Sequence, residues 1–253
     1  MTTEHRFHTP EPIELDVEIP SGEIDVETID GDESFVTVTG NEKTLAQMRV
    51  ELEGRRLVVQ LKDKHTLGIR ISIGDFSFGS EGLHVTAKIP HSSAAEVTTA
   101  SADAKLRGRY ASLESKSASG DLTLNGEIEG DATIKTVSGD VRIGRIGGTL
   151  RANSVSGDVS AFAVGGSIEM KSVSGDARFD SVREGTVTVQ SVSGDIDVGV
   201  APGTNLDVDA GSVSGDLTSE VPLASEPGFA AEGPTLVVRG KTISGDFRVF
   251  RAA

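Results

Sequence analysis

Cysteine and tryptophan are absent from this 253-residue chain, and tyrosine occurs once. The missing cysteines exclude disulfides, thiolate metal sites and thiol catalysis together. Aromatics make up only 4% of residues, so a core has to come from Val, Ile, Leu and Ala. Basic charge is also scarce: 24 Lys plus Arg stand against 39 Asp plus Glu, a formal net charge of -15. A surface of that sign repels phosphate backbones and anionic bilayers, so neither nucleic acid nor direct membrane insertion is expected. No apolar run reaches transmembrane length, and Met1–His8 has neither the basic start nor the apolar core of a signal peptide. A soluble, cytoplasmic chain is the expectation.

What is present is a repeat. Ser-Gly-Asp begins at Ser119, Ser138, Ser156, Ser174, Ser193, Ser214 and Ser244, with successive spacings of 19, 18, 18, 19, 21 and 30 residues. Ser101-Ala102-Asp103 is a degenerate copy 18 residues upstream, which makes eight. The Asp column is then Asp103, Asp121, Asp140, Asp158, Asp176, Asp195, Asp216 and Asp246. The residue before each Ser is small or branched and apolar: Ala100, Ala118, Val137, Val155, Val173, Val192, Val213 and Ile243. One step further back is always a hydroxyl: Thr99, Ser117, Thr136, Ser154, Ser172, Ser191, Ser212 and Thr242.

Period-two alternation flanks each corner. Upstream, Leu150-Ala152-Ser154, Ile168-Met170-Ser172 and Val187-Val189-Ser191 share one inward parity. Downstream, Val137-Gly139-Val141-Ile143 and Val192-Gly194-Ile196-Val198 share the other. The parity flips between the hydroxyl and the next apolar residue, so the chain turns or bulges there. Ile128, Ile146, Val164 and Val182 supply a third apolar position before Gly-containing turns. A unit of 18 residues cannot bury its own apolar face, but stacked neighbours can. The expected fold is all-β: a β-solenoid of about eight rungs of 18–21 residues, on the order of 38 Å long at ~4.8 Å per rung.

The Gly points inward, where a Cβ has no room or φ is positive. The Asp and Ser side chains point outward as a ladder, held by local bonds to turn N–H groups. These fifteen residues, the eight Asp with Ser119, Ser138, Ser156, Ser174, Ser193, Ser214 and Ser244, form the only candidate surface site, and its first role is structural. Stacked carboxylates and hydroxyls also offer hard oxygen ligands, so calcium is the one cation weighed. The Gly-Gly-x-Gly-x-Asp calcium repeat is absent, and no cofactor is expected.

Residues 1–92 lack the regular repeat but keep alternating segments such as Ile13-Leu15-Val17-Ile19 and Leu57-Val59-Leu61. They are expected to form an antiparallel β-subdomain capping the solenoid of residues 93–253. Ser21-Gly22-Glu23 reads as a worn corner, and Ile69-Ile71-Ile73 with Phe76-Phe78 around Gly74-Asp75 as a hairpin. Residues 219–235, rich in Pro, Ala and Glu, read as a surface-loop insertion. Phe247, Val249 and Phe250 gather at the C-terminus, to close the core or pair end to end. A monomer or an end-to-end dimer follows.

Catalytic patterns do not emerge. His5, His8, His65, His84 and His91 all lie outside the eight copies, and no two show zincin spacing. No Gly-rich loop opens into a helix. A ladder repeated in every rung suggests architecture, whereas an active site breaks a repeat locally. The corners Val137–Asp140, Val155–Asp158, Val173–Asp176 and Val192–Asp195, behind a strand-rich N-terminal segment, resemble the bacterial β-strand-repeat family called putative adhesins, a domain of unknown function. The similarity covers roughly residues 10–250. It implies a β-solenoid and a bacterial source and brings no catalytic residues. The expectation is a non-catalytic scaffold presenting its repetitive surface to an unidentified protein partner. The alternative is a cation- or carbohydrate-binding, adhesin-like module using the Asp/Ser ladder.

Overall fold

The computed structural model describes residues 1–62, 82–221 and 233–252. Two sequence expectations, the hairpin at residues 69–78 and the middle of the insertion, lie outside them. The chain starts with β1 (Thr2–His8), β2 (Glu14–Ile19), β3 (Glu23–Ile29) and β4 (Glu33–Thr39). A short α1 (Glu42–Gln47) follows, capped by Asn41, whose side chain accepts the Thr44 N–H at 2.8 Å. Then come β5 (Met48–Glu53), β6 (Arg56–Leu61), β7 (His84–Pro90), β8 (Ser93–Thr99) and the long β9 (Asp103–Ser117).

The repeat region contributes two strands per rung. These are β10 (Leu122–Ile128) with β11 (Ala132–Thr136), β12 (Val141–Ile146) with β13 (Leu150–Asn153), and β14 (Val159–Val164) with β15 (Ile168–Lys171). Next along the chain are β16 (Ala177–Val182) and β17 (Gly185–Gln190), then β18 (Ile196–Val200) and β19 (Asn205–Ser212). Last are β20 (Leu217–Ser219), β21 (Thr235–Thr242) and β22 (Phe247–Arg251). Strand accounts for 64% of the described residues and helix for 3%, so the fold is all-β and solenoid-like.

Hydrogen bonding joins the strands into two columns. One runs β5, β6, β2, β8, the second half of β9, β11, β13, β15, β17, β21, β19. The other runs β1, β4, β7, β3, the first half of β9, β10, β12, β14, β16, β18, β22, β20. All pairs are parallel except β1–β4, β4–β7 and β5–β6. Residues 1–92 therefore mix both kinds, because β2 and β3 pair in parallel on both of their edges.

Register puts like upon like, which is how short apolar faces become one core. Leu150, Ile168, Val187, Val238 and Val208 lie over one another. Phe179, the bulkiest inward side chain of its row, sits between Ala161 and Val198 and is fully buried. A small neighbour makes room for the large one.

The stack departs from chain order at both ends. β2 and β3 lie between the β6/β7 layer and the β8/β9 layer. At the other end β21 and β22 are inserted between β17/β18 and β19/β20. The seventh Ser-Gly-Asp copy is thus outermost and the eighth lies inside it. Of the two roles expected for these C-terminal residues, closing the core or pairing end to end, Phe247 and Val249 take the first, though inside the stack. Phe247 is fully buried between Ile196 and Leu217, while every residue of β20 is exposed. The more apolar rung takes the inner place, and the polar one faces solvent.

Candidate interaction surface

Each corner is held by three sets of hydrogen bonds. The hydroxyl residue braces its own turn: Thr136 Oγ1 accepts the Gly139 N–H at 3.0 Å and donates to the Gly139 carbonyl at 3.0 Å. Ser172 does the same with Gly175, also at 3.0 Å both ways. Thr99, Thr136, Ser154, Ser172, Ser191 and Thr242 are accordingly buried without an unpaired polar atom.

The motif Ser reaches across rungs. Ser156 donates to the Val137 carbonyl through both its hydroxyl (3.2 Å) and its backbone N–H (2.8 Å). The hydroxyl contact recurs from Ser119 on Ala100 to Ser214 on Ile243. The Asp does the converse: its Oδ1 accepts the backbone N–H of the next rung's Asp. The chain of contacts runs Asp103, Asp121, Asp140, Asp158, Asp176, Asp195, Asp246, Asp216, each at 2.8–3.1 Å. That order independently records the exchange of the last two rungs.

The Gly is required by space. A Cβ on Gly157 would lie 2.1 Å from the Gly139 carbonyl oxygen, and the same distance recurs at Gly139, Gly175, Gly194, Gly215 and Gly245. None of these has positive φ. Nothing in the structure explains why Ala102 is tolerated over Gly22.

One expected parity is corrected here. Val137 does not point inward with Gly139. It and Ser138 both point out, and the inward series resumes at the Gly. The branched residue of each corner is exposed: 44–53% at Val192, Val155, Val173, Val137 and Ile243, and 81% at Val213. The registered corners line these six side chains up as a ridge. The Asp column follows it three residues on. On the other side, two residues before each, stand Lys135, Asn153, Lys171, Gln190, Lys241 and Gly211. The result is an apolar strip with an acidic row on one flank and a row of alternating Lys and neutral residues on the other.

The ladder position continues toward the N-terminus. Ser21-Gly22-Glu23 occupies the corner beneath Ser101-Ala102-Asp103, with the Asp103 N–H donating to the Gly22 carbonyl at 3.1 Å. His84 stands in register beyond Glu23. Its Nδ1 is 3.3 Å from Glu23 and its Nε2 3.5 Å from Asp25, and these three side chains could share one ion. Lys105 donates to Glu23 at 2.6 Å and Arg107 lies 3.6 Å from Asp25, so the carboxylates already have cationic partners. The Lys105 bond holds the Glu23 carboxyl below its usual range. The sequence places His84 outside the eight copies because Gly82-Leu83-His84 has Gly at the Ser position, Leu at the Gly position and His at the Asp position of the corner.

The family profile of Toastrack DUF4097 matches residues 13–249. The chain belongs to the Toastrack DUF4097 family. A search of the curated proteins found no match for this Toastrack chain. Among solved structures, it resembles a putative lipid binding protein from Parabacteroides distasonis at 15% identity and a TM-score of 0.63, covering 98% of this chain and 96% of that one. A putative adhesin from the same organism shares 15% identity over 98% of this chain and 97% of its own, with a TM-score of 0.48. One from Parabacteroides merdae shares 13% over 98% and 95%, with a TM-score of 0.45. At such identity the first of these speaks for the fold alone. Among the described residues, no helix is long and apolar enough to cross a membrane.

Proposed function

We propose that this chain is a non-catalytic scaffold whose eight corner-bearing rungs, capped by the antiparallel strands β1, β4 and β5, present a repetitive surface to a protein partner. The observation that carries the reading is the ridge of Val137, Val155, Val173, Val192, Ile243 and Val213. Single exposed apolar residues are ordinary, but six in one straight row form a contiguous patch. Its flanks define the partner's chemistry: an apolar groove with cationic side chains along the edge that meets the Asp row. The opposite edge meets the Lys-containing row and is acidic or neutral.

The hydrogen bonding supports this over the cation-binding alternative. Seven of the eight ladder Asp commit Oδ1 to a neighbouring rung's N–H, leaving one outward oxygen each. The test is a triple variant, Val155→Ser with Val173→Ser and Val192→Ser. These side chains contribute little to the core, so circular dichroism and the melting temperature should stay close to wild type. Partners cross-linked by the wild-type protein in its source cell should be lost by the variant, identified by mass spectrometry and rebuilt with purified components. Equal recovery by both would overturn the reading. Saturable binding of calcium or a glycan that Asp158→Ala and Asp176→Ala abolish would favour the alternative.

A further inference from the structure

The inserted C-terminal rung has a consequence for how the stack closes. β17 and β18 present the edge on which the next rung must build, and two segments of this chain fit it. In the structure the occupant is β21/β22, with β19/β20 stacked outside. Yet Ser212-Val213-Ser214-Gly215-Asp216 and Thr242-Ile243-Ser244-Gly245-Asp246 carry the same corner chemistry. Both hydroxyls accept the N–H of their own Gly, at 2.8 and 3.1 Å. Asp216 donates its N–H to Asp246 as Asp246 does to Asp195, both at 2.8 Å. Nothing in the corner tells the Asp195 rung which of the two should follow it.

What differs is the apolar content. β21 and β22 bury Leu236, Val238, Phe247 and Val249 completely or nearly so, whereas β20 is exposed throughout and β19 buries only Leu206. A terminal rung is best when polar and an inner rung when apolar. The final order follows that rule, but the chain supplies the polar rung first.

We propose that β19/β20 first stacks directly on β17/β18 in chain order, and that the C-terminal rung then displaces it, moving β19/β20 out one layer to become the cap. The end of the solenoid is therefore a two-state device, in which seating or unseating the C-terminal rung shifts the cap by one rung.

The register makes the two arrangements separable. Thr188 faces Arg239 in the observed stack, and Arg239 faces Asp209, so in chain order Thr188 would face Asp209. Facing residues of adjacent strands are close enough for a disulfide, and the chain has no cysteine of its own to interfere. Full-length T188C/D209C and T188C/R239C are refolded from denaturant and oxidised in short pulses. The 188–209 link should form early and decline, while the 188–239 link rises to dominate. Absence of any 188–209 link at every time would overturn the proposal.

A second, native-state measurement uses Gly240, where a Cβ would lie 1.9 Å from the Phe247 ring. Gly240→Val should unseat the C-terminal rung and raise the 188–209 link by roughly tenfold or more, with strand content retained. Unfolding of that variant, or an unchanged 188–239 link, would count against the device.

Discussion

The corner Gly and Asp answer different physical demands, and substitution separates them. At Gly157 the demand is space: an added Cβ meets a backbone carbonyl, which cannot swing aside as a flexible side chain would. Gly157→Ala should cost at least about 2 kcal/mol in urea unfolding, because one rung must move against its neighbours on both faces. At Asp158 the demand is an acceptor for the Asp176 N–H, 2.9 Å away. An amide oxygen still accepts that N–H, and the weaker bond is offset by relief of repulsion from the neighbouring carboxylates, so Asp158→Asn should be close to neutral, while Asp158→Ala should cost about 1–2 kcal/mol. A large loss in the Asn variant would mean that the charge itself is used. Tyr110, the chain's one tyrosine, belongs to the same class of buried but satisfied groups. Its hydroxyl donates to the Val26 carbonyl at 3.0 Å, and burial pushes its ionisation up.

Strands take their faces from alternation, and most of that was legible in the sequence. Leu150-Ala152-Ser154 and Val141-Ile143 point inward as the alternation predicts. The parity at the corner was not legible, because period two cannot say which of two adjoining residues absorbs the flip. Hydropathy favours burying Val137, but the buried Thr136 bonds to both backbone groups of Gly139, and that satisfies the turn with Val137 outside. The ridge was therefore hidden in the very residues that looked most core-like. Rung order was hidden for a related reason, since identical corners carry no address. At β3 the worn corner has exchanged Asp for Glu23, and its charge is tied to Lys105 on β9. The folded Glu23 carboxyl titrates below its unfolded value, so the stabilisation is present above the unfolded carboxylate range and is lost as pH falls through the folded one. Glu23→Gln should therefore flatten the acid limb of stability against pH, and by little, since the pair is largely exposed. An unchanged acid limb would show that the pair is not felt.

Over the whole molecule the ladder becomes a charge problem. Its eight carboxylates amount to more than half of the formal -15, and they stand in a row at about the strand spacing. Neighbours at ~4.8 Å repel by roughly 0.9 kcal/mol in water, a cost that each rung offsets with an N–H bond to the charged oxygen, worth about 1.5–3 kcal/mol. The balance favours folding, but narrowly enough for screening to matter. Raising NaCl from about 10 mM to about 500 mM shortens the Debye length below the spacing of the row and should lift the melting temperature by a few degrees. Calcium chloride at matched ionic strength should give the same rise, because Oδ1 of each Asp is already accepting a backbone N–H and one remaining oxygen per rung is a sparse ligand set for calcium. A rise that saturates at low millimolar calcium and exceeds the matched NaCl curve would instead make the ladder a cation site. The Asp158→Asn variant then tests whether the outward oxygen holds the ion, since it can keep the Oδ1 bond to the Asp176 N–H and replaces Oδ2 with an amide nitrogen. If the ladder is purely structural, that variant should shift the salt curve upward at low ionic strength and merge with wild type at high.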